Sequence, residues 1–151
     1  MDIDVIDDEV GLRELYQAVI EDAGFSVKGF ACAEDYLAHT KNQIYSPPKI
    51  AIITDVKMPG KSGYDLIEEV KKTNPKQKFV VITGTPREGY NKDARACFYI
   101  QKPASVDKLL AVIKLLSSCT LAGDHSLAPV CKLISDLDSF AIHDWKCPKL
   151  N

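Results

Sequence analysis

Little in this chain would mark it as secreted, membrane-bound or nucleic-acid-binding. Its five cysteines (Cys32, Cys97, Cys119, Cys131 and Cys147) are odd in number and lack C-x-x-C pairing, which argues against a disulfide framework and leaves buried or free thiols. No apolar run approaches the roughly 18 residues that span a bilayer. The N-terminal "MDIDVIDDE" is acidic where a secretory signal is basic, so a cytoplasmic protein without membrane contact is expected. With 19 Lys+Arg against 21 Asp+Glu the formal net charge is -2. There is no broad basic field to hold a nucleic-acid backbone, and direct nucleic-acid binding is not expected. At 151 residues the chain suits one ordinary globular domain plus a short appendage.

What is present is an alternation of short apolar runs with helical periodicity, the pattern of repeated βα units around a parallel sheet. Five strands are expected: "IDVI" (3–6), "FSVKGF" (25–30), "IAIIT" (50–54), "FVVIT" (79–83) and "CFYI" (97–100). The third and fourth are continuously apolar, as strands covered by helices on both faces are. Between them, Leu12, Leu15, Tyr16, Val19 and Ala23 space a helix that stops at Gly24. A shorter helix is expected over 33–40, and Leu66, Ile67 and Val70 mark another that ends before Pro75. Ser105 is a candidate N-cap for a helix with Val106, Leu109, Leu110, Ile113 and Leu116 on one face. Residues 86–96 have almost no apolar periodicity, and only a short helix is expected there. After "AGDHSLAP", residues 122–151 carry Val130, Leu133, Ile134, Leu137, Phe140 and Ala141 at helical intervals, which reads as one amphipathic helix.

In an open parallel sheet, ligands bind at the carboxyl ends of the strands. Here those ends carry Asp7 and Asp8 after the first run, Asp55 after the third, Thr83 at the close of the fourth, and Lys102 followed by Pro103 after the fifth. Clustered carboxylates raise one another's pKa unless a cation sits among them, and all-oxygen ligation suits Mg²⁺. A lone Asp before a turn is ordinarily a turn residue. The set as a whole, with Asp55 followed by "VKMPGKSG" and Thr83 by Gly84, resembles over residues 1 to about 120 the receiver domain of two-component response regulators, of the chemotaxis-regulator kind.

The resemblance implies a doubly wound α/β fold: a flavodoxin-like, five-stranded parallel sheet of order 2-1-3-4-5, formed by residues 1–121 and followed by a C-terminal helical extension over 122–151. It also implies a phosphorylation-activated switch. Asp55 would be the phosphoacceptor, taking a phosphoryl group from a phosphohistidine of a sensor histidine kinase or histidine phosphotransfer protein. Mg²⁺ would be held by Asp8 and Asp55 directly, by Asp7 through water and by the main-chain carbonyl of Lys57. Lys102 would pair with the phosphate, Thr83 would donate its hydroxyl to a phosphoryl oxygen, and Tyr99 falls on the family's switch aromatic, the alternative being a static, half-buried strand aromatic with its hydroxyl in water. Lys57 and Thr85 stand at positions that tune phosphate lifetime. In the loop after Asp55, Pro59 adds stiffness and Gly60 and Gly63 let the backbone approach the ion.

Three features depart from the pattern. Asp4 stands in the first strand where an apolar residue is usual, so it must reach the rim or find a partner. Arg95 replaces a usual glycine, and the interval from Thr83 to Lys102 is short, which truncates the helix after the fourth strand. The usual dimer through that helix, the fifth strand and the last helix is therefore not expected. The tail is expected to dock on its own domain or on a partner, because its stripe needs burial. His125, Cys131, His143 and Cys147 match no standard zinc spacing and read as ordinary histidines and thiols. A competing enzyme reading, an aspartate-nucleophile phosphatase of the haloacid-dehalogenase type, wants a second Asp where Lys57 stands. A flavin-binding protein wants a Ser/Thr-rich loop where "DDEVG" stands. Output through protein contact or phosphorelay to an unknown downstream protein is the expected role.

Overall fold

The computed structural model describes residues 1–84 and 96–122. The expected helix over 86–96, Thr85, Arg95, the tail helix and the four residues weighed for zinc lie outside the described residues. Strands β1 (Ile3–Ile6), β2 (Val27–Phe30), β3 (Ala51–Thr54), β4 (Phe79–Thr83) and β5 (Phe98–Gln101) form one parallel sheet of order β2-β1-β3-β4-β5. This is the doubly wound, flavodoxin-like arrangement. Helices α1 (Val10–Asp22), α2 (Ala33–Thr40), α3 (Gly63–Thr73) and α4 (Val106–Ala122) cover its two faces. The second strand starts later than the apolar pattern suggested, at Val27, and the fifth begins at Phe98 and includes Gln101.

The period-2 pleat divides the core. Ile3 and Val5 pack with Tyr16 and Ile20 of α1 and with Leu109, Val112, Ile113 and Leu116 of α4. Ile6 and Ile52 pack with Tyr36 of α2 and with Leu66, Ile67 and Val70 of α3. β3 and β4 are buried along their whole length, in keeping with their continuous apolar runs.

Helix ends follow their local chemistry. The Ser62 hydroxyl accepts from the Asp65 N–H while the Asp65 carboxylate accepts from the Ser62 N–H, a reciprocal cap at the start of α3. Gly24, at φ 95°, takes the left-handed turn after α1. Ser105 accepts from the Lys108 and Leu109 amides, as expected of the cap of α4. Two stripe assignments are corrected. Leu15 is 47% exposed and Val106 42% exposed, because the buried face of α1 runs through Tyr16 and Ile20 and that of α4 through Leu109, Val112, Ile113 and Leu116.

Asp4 has found a partner. It is 3% exposed on the α2 side of β1, where the Tyr36 hydroxyl donates to its Oδ2 at 2.8 Å and is itself 2.9 Å from the Tyr45 hydroxyl. Phe30 packs edge-on against Tyr36 at 4.9 Å. Burial raises the Asp4 carboxyl above the ordinary range; the Tyr36 hydrogen bond and the His39 and Lys28 charges oppose it without cancelling it. Between the ordinary and the raised value the folded chain holds a proton that the unfolded chain has released. Stability must therefore fall as pH rises through that window. Asp4→Asn does not titrate, so its urea midpoint should pull ahead of wild type from acid to neutral pH and then hold a constant lead. A difference that does not change with pH would refute this account.

Candidate functional site

Strand register builds the site. Ile6 pairs with both Phe30 and Thr54, and the ladder continues one residue further: the Asp7 N–H donates to Phe30 at 3.1 Å and the Asp55 N–H to Ile6 at 3.0 Å. Asp7 and Asp55 thus leave adjacent strands side by side. On the other flank Thr83 pairs with Gln101, and the Lys102 N–H donates to the Thr83 carbonyl at 2.8 Å. The Lys102–Pro103 peptide is cis.

Carboxylate oxygens of Asp7, Asp8 and Asp55 lie within 4.8 Å of one another; Asp7 and Asp55 are buried and Asp8 is exposed. The Lys102 ammonium reaches in from β5 to Asp55 Oδ2 at 3.0 Å, Asp7 Oδ2 at 3.2 Å and Glu9 Oε1 at 3.5 Å. Asp55 keeps its other oxygen on the Val56 N–H at 2.7 Å. Burial pulls the Lys102 ammonium pKa down, but the hydrogen bond to Asp55 and the Asp55 and Asp7 charges outweigh this and hold it above the usual lysine value. Burial likewise pushes the Asp7 carboxyl up, against the Glu9 N–H and Lys102.

The other expected site residues are distributed around this group. Thr83 is buried at the end of β4, beside Lys102. Tyr99 pairs with Val81 and is buried, 8% exposed, in the core cluster on the α2 and α3 side of the sheet, in place of the half-buried position considered for it. Lys57 follows Asp55 by two residues with its side chain in solvent. Two contributors were missed in the sequence. Glu9 immediately follows the acidic pair, and Arg13, one helical turn on, donates its guanidinium to the Asp7 carbonyl at 2.7 Å. The signal for both was their spacing from Asp8 at the start of α1.

Chemically, three converging carboxylates with a charged amine offer an oxygen cage that fits a small divalent cation, with a carboxylate nucleophile on its wall. Asp7, Asp8 and Asp55 supply hard oxygen donors and no sulfur or imidazole, the donor chemistry that Mg²⁺ prefers.

Comparison with known proteins agrees with this geometry. Residues 3–114 match the response regulator receiver domain family. The response regulator Rre1 of Synechocystis sp. is 31% identical over 140 residues, covering 85% of this chain and 57% of that protein. The C4-dicarboxylate transport transcriptional regulatory protein DctD of Rhizobium meliloti is 30% identical over 109 residues, covering 70% of this chain and 23% of that protein. This chain therefore spans less than two thirds of either regulator. Among solved structures, a CheY-like response regulator receiver domain protein from Methanospirillum hungatei superposes with a TM-score of 0.69 at 25% identity, covering 81% of this chain and 97% of that one. Sheet order, the acidic strand ends and the family match agree, and the chain belongs to the response regulator receiver domain family.

Proposed function

We infer that this chain is a phosphorylation-activated signalling switch in which Asp55 accepts a phosphoryl group from a phosphohistidine of a sensor kinase or phosphotransfer protein. The observation that carries the reading is the convergence of Asp7, Asp8 and Asp55 around the Lys102 ammonium. An Asp55 oxygen forms the new O–P bond as the donor's N–P bond breaks, and that electron pair stays on the imidazole nitrogen. Asp7, Asp8, Asp55 and the Lys57 carbonyl would hold Mg²⁺, which when bound supplies charge neutralisation for the phosphoryl oxygens. The transition state of such a transfer is loose, so positioning and neutralisation are most of what the protein provides.

Lys102 exchanges its bond with Asp55 Oδ2 for the new phosphoryl oxygens. Thr83, bonded through its carbonyl to the Lys102 amide, donates its hydroxyl to the same group. Tyr99, three residues before Lys102 and already buried, is the aromatic that reports the shift to the surface. On this reading the protein assists its own phosphorylation and dephosphorylation and turns over no separate substrate. Residues 1–121 form the receiver, and the tail over 122–151 is an appendage. Relatives are named as transcriptional regulators, but the part shared with them is the receiver. We assign output to protein contact or phosphorelay in the cytoplasm, without direct nucleic-acid binding.

Incubated with Mg²⁺ and a small acyl phosphate, the purified chain should gain the mass of one phosphoryl group on the peptide that contains Asp55. A chelator added beforehand should prevent it. No adduct, or an adduct mapped to another residue, would overturn the reading.

A further inference from the structure

If the Lys57 carbonyl is to serve a cation beside Asp55, the loop between β3 and α3 must be held along its length, and the hydrogen bonds at its two ends do not reach the turn at Gly60 and Lys61. At the near end, the Val56 N–H is held by the Asp55 carboxylate at 2.7 Å and the Val56 carbonyl accepts from Gly63 at 2.9 Å. At the far end, Ser62 is caught in the reciprocal cap with Asp65. Between them Met58 is anchored in the core cluster that holds Tyr36 and Leu66, and the exposed turn that follows, Pro59 to Lys61, is fastened from a different part of the molecule. Glu34, in the first turn of α2, accepts the Lys61 N–H on Oε1 at 2.5 Å.

Gly60 is shaped around that carboxylate. Its φ of +81° is left-handed, and a Cβ there would fall onto Glu34 Oε1, with the carboxylate carbon at 2.9 Å. A side chain at Gly60 and a carboxylate at Glu34 are therefore mutually exclusive in this geometry. The Lys61 hydrogen bond also holds the Glu34 carboxyl below its ordinary range. α2 itself is pinned to the sheet at a second point, through the bond from Tyr36 to Asp4 in β1, the strand that leads into Asp7 and Asp8.

We propose that Glu34 is a positioning residue for the cation site: from a helix that contributes no ligand, its carboxylate fixes the Gly60–Lys61 turn and, through the rigid Pro59, the carbonyl of Lys57. The proposal rests on the reading of Asp7, Asp8, Asp55 and Lys57 as a Mg²⁺ site. It accounts for two features that the phosphoacceptor chemistry leaves unused, an acidic residue reaching across from α2 and a glycine with its methyl position occupied by that residue's carboxylate.

The test is a calorimetric Mg²⁺ titration of the full chain, wild type beside Glu34→Ala, Glu34→Gln and Gly60→Ala, all well below their thermal midpoints. Glu34→Ala should weaken Mg²⁺ binding by about tenfold, the lower end of what losing the support of a metal ligand costs. Glu34→Gln, whose amide oxygen can still accept the Lys61 N–H, should stay within about threefold of wild type, because it lacks only the charge assistance of the bond. Gly60→Ala, which expels the carboxylate, should match Glu34→Ala. Wild-type affinity in Glu34→Ala would overturn the proposal, even with a lowered thermal midpoint, since destabilisation alone leaves the affinity of the folded protein unmoved. Glu34→Gln as weak as Glu34→Ala would also overturn it, because long-range charge would then be responsible. No phosphoryl transfer is needed for this measurement. Mg²⁺ binding without an Asp55 adduct removes the phosphoacceptor reading and leaves the Glu34 result to stand, whereas a wild type that binds no Mg²⁺ removes the positioning role.

Discussion

Asp55→Asn will keep the fold and take up no phosphoryl group. An amide is nearly isosteric with a carboxylate, and its oxygen can still accept the Val56 N–H that Asp55 holds at 2.7 Å. Its backbone bonds, from its own N–H to the Ile6 carbonyl and from the Thr54 hydroxyl to its carbonyl at 2.9 Å, do not involve the side chain. What is lost is the anionic oxygen that, on the proposed reading, forms the new O–P bond; an amide oxygen carries no charge and is a far weaker nucleophile. Lys102 retains Asp7 at 3.2 Å, so the ammonium is not stranded and the urea midpoint should lie within about 1 kcal/mol of wild type. Mg²⁺ binding should weaken as well, since one of three converging carboxylates loses its charge. Intact-mass measurement after acyl phosphate treatment, beside a urea titration, checks both halves. A phosphoryl adduct on the variant would show that another residue is the acceptor.

Gly63→Ala should damage stability and site together. Glycine at a helical position is ordinarily inferior to alanine by up to about 1 kcal/mol, so propensity alone predicts a gain. Packing reverses the sign. A Cβ at Gly63 would run into the backbone carbonyl oxygen of Asp55, with the Asp55 carbonyl carbon at 3.0 Å and Val56 Cα at 3.2 Å. These are backbone atoms of a strand end whose amide is bonded to β1, so they cannot swing aside as a side chain could. Either α3 moves off the sheet or Asp55 moves out of register with Asp7. Overpacking of this kind costs about 1–3 kcal/mol, and Mg²⁺ affinity should fall in parallel. Gly11, in the first turn of α1 with nothing within 4 Å of its Cβ position, is the internal control: Gly11→Ala should raise the urea midpoint. A Gly63→Ala midpoint equal to or above wild type would show that the helix start is softer than this geometry implies.

The strand-end chemistry was legible in the sequence because chain order and strand polarity bring Asp7, Asp8, Asp55, Thr83 and Lys102 to one edge whatever the details of packing. Legibility ended where side chains cross between elements. Asp4 was visible as an oddity, but its partner Tyr36 is 32 residues away, and hydroxyl and carboxylate could be matched only once α2 was seen to lie over β1. Glu34 carries no sequence signal beyond its place in a first helical turn, because nothing local says that its carboxylate accepts from a different loop. Helical spacing proposed the faces of α1 and α4 but overcounted them: Leu15 sits about 100° from Tyr16 around α1 and falls off the buried stripe. Tyr99 shows the opposite limit. Its place in the sequence suggested a role, but only the structure could say which way its ring faces.

Four carboxylates, those of Asp7, Asp8, Glu9 and Asp55, gather at the strand ends with the Lys102 ammonium. Under the proposed function that imbalance favours an order of arrival: an anionic phosphodonor would meet a repulsive edge until a cation had bound, so the cation would bind first. The same imbalance makes the first step sensitive to ionic strength, because the exposed Asp8 and Glu9 act on an approaching cation through water, over a range that salt cuts to about 8 Å at physiological strength.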